Sequence, residues 1–140
     1  MMPEINYWAI LVCGVVSMVI GMIWYGPIFG KKWMEVTGLS KLSKEEQMKM
    51  MKSSRLFYLV SFLLALFQAW ILAYYIDGWK DASGLENALW IWAAFVIPTV
   101  AGGTMWTAEA RNNAWARFLI QGGYYLVLFI VFGLILGLWR

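Results

Sequence analysis

Four continuous apolar runs, each about 20 residues long, limit the fold of this chain more than any other feature. They lie at about residues 5–25, 56–76, 88–108 and 118–139, and none has a charged residue in its interior. At 1.5 Å rise per residue, a helix of about 20 residues covers roughly 30 Å, the thickness of bilayer hydrocarbon. The runs do not alternate between apolar and polar positions, so they read as helices and not as barrel strands. A soluble alternative fails on composition. Hydrophobic residues make up 62% of the 140 residues and charged ones 14%, too few to cover four buried helices with an amphipathic shell. The expected class is all-α: a polytopic membrane protein, a single membrane domain over residues 1–140, built as an antiparallel four-transmembrane-helix bundle.

Charge distribution orients that bundle. With four spans, the first and third loops share a side and hold Lys31, Lys32, Lys41, Lys44, Lys49, Lys52, Arg55, Arg111 and Arg117, nine of the eleven basic residues. The other side has only Lys80 and Arg140. The positive-inside rule therefore places both termini outside and the basic loops in the cytoplasm. Asp77, Asp81 and Glu86 occupy the outer loop. Tryptophans agree with these spans: Trp8, Trp79, Trp90, Trp92 and Trp139 fall near the outer interface and Trp24, Trp33, Trp106 and Trp115 near the inner one. An interfacial belt, with the ring buried and the N–H wet, is preferred to a tryptophan-rich ligand site.

Several functions lose their chemical basis. Histidine is absent, which removes imidazole metal sites, His-ligated haem and His-based acid–base catalysis. The lone cysteine, Cys13, lies in an apolar run and reads as a small packing residue. No cofactor, metal site or catalytic residue is expected. No nucleophile–base pair or paired carboxylates occur within the spans, so an enzyme is not expected. The basic residues sit where topology requires them, so no nucleic acid partner is expected. Residues 1–6 contain no Lys or Arg, so the first helix is expected to be retained and not cleaved as a signal peptide.

The first loop opens with Trp24-Tyr25-Gly26-Pro27-Ile28-Phe29-Gly30-Lys31-Lys32-Trp33. Pro27 is expected to end the first helix, since it biases the preceding residue away from helical geometry. A lipid-anchored turn is preferred to a folded gate. This run, with Asn6, Ala9 and Gly21 before it, resembles the N-terminal signature of the bacterial membrane family filed as domain of unknown function 1761. A looser match lies at Glu109 and Arg111, Phe118-Leu119-Ile120-Gln121, Gly123-Tyr124, Gly133 and Trp139. The resemblance spans nearly the whole chain. It implies a small multi-span protein of the bacterial cell (inner) membrane and brings no substrate, cofactor or catalytic residue. The motif residues Trp24, Tyr25, Pro27, Phe29, Gly30 and Trp33 are carried as its turn.

Residues 40–54 read as a short cytoplasmic amphipathic helix between the first two spans, with Ser43 and Glu46 as a capping box. Seven basic and three acidic residues between 31 and 55 suit anionic lipid headgroups, but an ordinary topology determinant on a solvated helix is preferred. In the third span Pro98, Gly102 and Gly103 form a candidate helix break. Beyond it Thr104, Thr107, Glu109, Arg111, Asn112 and Asn113, with Gln121 in the fourth span, form a candidate polar or transport site; an ordinary polar loop is preferred. Gly14, Ser17 and Gly21 mark one packing face, and Gly133 with Gly137 forms a GxxxG, within or between subunits. The expected function is therefore a non-enzymatic membrane protein that interacts with lipids or partners and forms a homo-oligomer. The alternative is a channel or transporter for an ion or small solute.

Overall fold

A computed structural model describes residues 4–106 and 110–139. The described residues are predominantly helical, with no strand among them. Four helices are long and apolar enough to cross a membrane: Tyr7–Ile28, Arg55–Gly78, Gly84–Met105 and Arg111–Leu138, with mean hydropathies of 2.1, 2.2, 1.5 and 2.2.

Helix α1 (Tyr7–Ile23) begins where the Asn6 side chain accepts from the backbone N–H groups of Trp8 at 3.1 Å and Ala9 at 3.3 Å. The sequence expectation for its end needs correcting. Pro27 does not stop the helix but lies inside a π-helical turn, Trp24–Ile28, that prolongs it. Proline has no N–H, and its ring crowds the carbonyl four residues back. Widening the turn relieves that crowding, and the Phe29 N–H bonds the Trp24 carbonyl five residues back at 2.9 Å. Phe29 (φ −117°, ψ 9°) then redirects the chain into α2 (Gly30–Val36).

After Gly38, whose φ of 81° suits glycine, a 3₁₀ turn at Leu39–Lys41 leads to α3 (Lys44–Ser53). Ser43 and Glu46 close a reciprocal capping box at its start, at 3.2 Å each way. No residue of α3 is buried. Helix α4 (Arg55–Gly78) follows. The next loop is short and tied down: the Asn87 amide donates to the carbonyls of Trp79, Ala82 and Ser83 at 3.1–3.4 Å. Ser83 caps α5 (Gly84–Ile91), which runs through a second π turn, Trp92–Val96, into α6 (Ile97–Met105). Helix α7 (Arg111–Leu138) is the longest.

Helix α7 is the hub, packing against α1, α2, α4, α5 and α6. Its ends meet α1 in opposite order: Asn6 Nδ2 donates to the Trp139 carbonyl at 3.3 Å, and Trp24 Nε1 donates to the Ile120 carbonyl at 2.9 Å. Glu4, Asn6, Asp77 and Trp139 line one small cavity, which brings the end of α4 to the same place. The core is Ala9, Cys13, Ala69, Leu72, Ile76, Ala88, Leu128 and Phe132. Small side chains bring helices close, and Phe132 fills the remaining volume. Leu56, Phe57, Leu63 and Leu64 on the first half of α4 are exposed, as a lipid-facing surface requires.

Candidate functional site

The motif residues 24–33 fold into a joint between the end of α1, helix α2 and the first turns of α7. Two adjacent glycines make room for it. A Cβ on Gly123 would meet Trp24 Cζ2 at 3.0 Å, and one on Gly122 would meet Ile97 Cδ1 at 3.1 Å. Through this gap two indoles reach the α7 backbone: Trp24 Nε1 bonds the Ile120 carbonyl at 2.9 Å, and Trp92 Nε1 bonds the Gly122 carbonyl at 3.1 Å. A carbonyl oxygen has two lone pairs, so each accepts an indole beside its helical bond. Inside hydrocarbon an indole N–H needs such an acceptor, because water is absent. These two tryptophans therefore anchor to α7 at carbonyls two residues apart, although the sequence reading assigns Trp24 to the inner belt and Trp92 to the outer one.

The aromatic residues around the joint pack in edge-to-face and tilted pairs. Tyr25 contacts Trp33 (ring centroids 4.8 Å apart) and Tyr124 (5.3 Å), Tyr124 contacts Tyr125 (5.0 Å), and Trp24 contacts Phe29 (4.8 Å). All lie within the range of favourable ring pairs. Tyr124 Oη donates to the Ser17 carbonyl at 3.4 Å. Gly30 has to be small, since a Cβ there would sit 2.9 Å from the Tyr25 carbonyl oxygen. Val36, at the far end of α2, is buried. The joint thus packs α2 against α7 and leaves Lys31 and Lys32 exposed. Lys32 pairs with Glu35 at 3.8 Å, but both are solvated and the pair adds little. Gly26 and Pro27 are exposed at the outside of the turn.

The described residues of the candidate polar site do not assemble as one cluster. Thr104 is buried, but its hydroxyl donates to the Val100 carbonyl of its own helix at 2.8 Å. Thr107 and Glu109 lie outside the described residues. Arg111 and Asn112 are exposed at the start of α7, Asn113 is half-buried, and Gln121 is half-buried, about 15 Å further along the helix than Arg111. The helix break is displaced. Helical geometry runs through Pro98, Gly102 and Gly103, and the irregular turn is Trp92–Val96, ahead of the proline. The missing Pro98 N–H explains the displacement, since the carbonyls that lose a partner lie one turn earlier. Nothing lies within 4 Å of a Cβ on Gly102 or Gly103.

The packing glycines act within the chain. A Cβ on Gly133 would meet the Gly84 carbonyl oxygen at 2.7 Å and Ala88 Cβ at 2.8 Å, and one on Gly137 would meet Gly84 Cα at 3.0 Å. The GxxxG of α7 is therefore filled by α5. Gly14 faces Leu66 and Phe62 of α4, and Gly21 faces Tyr124. Ser17 is buried, its hydroxyl bonded to the Gly14 carbonyl at 2.6 Å. The residues that reading the sequence misses here are Gly122 and Tyr125, together with the packing role of Gly84 and the backbone anchoring by Trp92; Tyr124 enters there only as part of the looser family match. One signal was present: Gly84 and Ala88 form a second small-xxx-small pair.

The family model described as "Protein of unknown function (DUF1761)" matches residues 8–137. No curated protein and no solved structure matches the chain.

Proposed function

The chain belongs to the DUF1761 family of proteins of unknown function; from its four apolar helices and its basic face we propose a non-enzymatic integral membrane protein that works by engaging lipid. In this reading it crosses the bilayer four times as an antiparallel bundle. Both termini and the α4–α5 loop are outside, and α2 and α3 lie at the cytoplasmic face. The opposed ends of α1 and α7 support the bundle, and the bias of nine basic residues to one side supports the orientation.

The observation that carries the lipid reading is the aromatic joint. It packs α2 against α7 with Lys31 and Lys32 exposed, directly before an α3 in which Lys44, Lys49 and Lys52 are all exposed. Met48, Met50 and Met51 are exposed on the same helix, so α3 offers apolar contact beside its charge. Basic residues at a membrane surface each contribute about 1 kcal/mol toward anionic lipid. Replacing Lys31, Lys32, Lys44, Lys49 and Lys52 by glutamine is expected to reduce the preference for phosphatidylglycerol over phosphatidylcholine at least about tenfold. Spin-labelled lipids in reconstituted membranes read that preference directly. An unchanged preference would contradict the reading. Self-association, in this account, uses the open face of α4, because Gly133 and Gly137 are already filled.

A channel or transporter is the second reading. The π turn at Trp92–Val96 favours it, since such turns recur at functional sites. Ion or metabolite flux in proteoliposomes that falls on Gln121→Leu would decide for it.

A further inference from the structure

The acidic end of the molecule carries a groove that neither the joint nor the basic helices use. It lies between the end of α4 and α5, encloses about 430 Å³, and is walled by Tyr75, Trp79, Trp90 and Phe95, with Glu86 and Ile91 between them. The four rings are between 46% and 70% exposed, and none stacks on another ring among the described residues. Each residue thus keeps surface open to a ligand. Glu86 makes no ion pair among the described residues, whereas Asp77 is paired with Lys80 at 3.7 Å. The rim is held in shape by the three Asn87 amide bonds and by the Ser83 hydroxyl accepting from the Glu86 N–H at 3.1 Å.

The chemistry of the occupant follows from the walls. Aromatic faces attract cations through their quadrupole, and a carboxylate beside them adds direct charge. Glu4, Asp77, Asp81 and Glu86 outnumber Lys80 and Arg140 on this side of the sequence, so the local field also favours a cation. From Glu86 to Phe95 the groove follows the helix for about 13 Å, and its deeper part is apolar. The ligand therefore has a cationic head and an apolar tail. The walls belong to α4 and to the α5–α6 segment, two of the helices long and apolar enough to cross a membrane, so the bilayer is the source of such a molecule in this reading.

We propose that this groove binds an amine-bearing phospholipid, with the ammonium between Glu86 and the tryptophan rings and one acyl chain along Ile91 and Phe95. The assignment rests on the lipid-engaging reading above and adds a second site, one that selects the ammonium of a zwitterionic headgroup and leaves its phosphate at the open rim. The test is native mass spectrometry of the full-length, delipidated protein in non-ionic detergent. Dioleoylphosphatidylethanolamine, its N-acetylated form and phosphatidylglycerol are titrated separately. The expected result is one tightly retained phosphatidylethanolamine per chain. Retention weakens about five- to tenfold on N-acetylation and on Glu86→Gln, the loss of one charge-assisted contact at a partly wet site. Phosphatidylglycerol retention is unchanged by Glu86→Gln. N-acetylation needs no variant, so a folding defect cannot mimic the result. Equal retention of the amine and its N-acetylated form, or indifference to Glu86→Gln while phosphatidylglycerol still binds, would overturn this assignment alone. Retention of neither lipid would sink the lipid-engaging reading and this site with it.

Discussion

Gly133→Ala is expected to force α5 off α7. The added methyl would lie 2.7 Å from the Gly84 carbonyl oxygen, 2.8 Å from Ala88 Cβ and 3.0 Å from Leu85 Cα. Carbon atoms in contact prefer about 3.5–4.0 Å, so the helices must separate by roughly 0.5–1 Å. Backbone atoms of α5 are among the neighbours and have no rotamer to change. Gly84 also packs on Gly137, one turn further along α7, so the close approach extends over both glycines. Overpacking of this kind costs about 1–3 kcal/mol. Gly102→Ala supplies the internal comparison. Nothing lies within 4 Å of that position, and alanine is the better helix former by about 1 kcal/mol. Two identical substitutions should therefore shift stability in opposite directions, differing by about 2 kcal/mol or more. Unfolding by sodium dodecyl sulfate from mild detergent micelles, followed by tryptophan fluorescence, measures both. The Gly133→Ala loss should not depend on protein concentration, because the contact lies within one chain. Equal effects at the two positions, or a loss that disappears on dilution, would refute the packing argument.

Two further substitutions probe the joint. Gly30→Ala places a methyl 2.9 Å from the Tyr25 carbonyl oxygen and should open the reversal between α1 and α2; a cysteine placed at the buried Val36 should then react faster with maleimide, and an unchanged rate would count against the close approach. Trp24→Phe keeps an aromatic ring but removes the indole donor to the Ile120 carbonyl. Stability should fall by about 1 kcal/mol, together with faster amide exchange in α2; a neutral result would mean the indole contributes only its area.

The parts of the fold that depend on solvent were legible in the sequence. Uncharged runs long enough for hydrocarbon located the four helices, because lipid forces backbone polar groups to pair within each segment. The Ser43–Glu46 capping box was legible for a similar reason: it satisfies helix-end donors with residues three apart in the chain. Pro27 and Pro98 were misleading because the usual outcome, a stop or kink, competes with a one-turn widening that costs less when neighbouring helices hold the segment. The π turns at Trp24–Ile28 and Trp92–Val96 are that second outcome. The joint was only half legible. Its motif residues stand together in the sequence, but their partners Ile120, Gly122 and Tyr124 lie about a hundred residues away from Trp24 or on a different helix from Trp92. Hydropathy records that an indole suits an interface and carries nothing about which distant carbonyl takes its proton. Thr104 shows the converse: a polar residue in a span that reads as part of a site has its hydroxyl spent on Val100.

The account depends on the orientation of the basic and acidic ends across the bilayer, and cysteine labelling in intact cells measures it most directly. With Cys13 replaced by alanine, single cysteines at Glu4 and Asp81 should react with a membrane-impermeant maleimide from outside. A cysteine at Ser53, beside α4, should react only after permeabilisation. Labelling of Ser53 from outside, or of Glu4 and Asp81 from opposite sides, would contradict it.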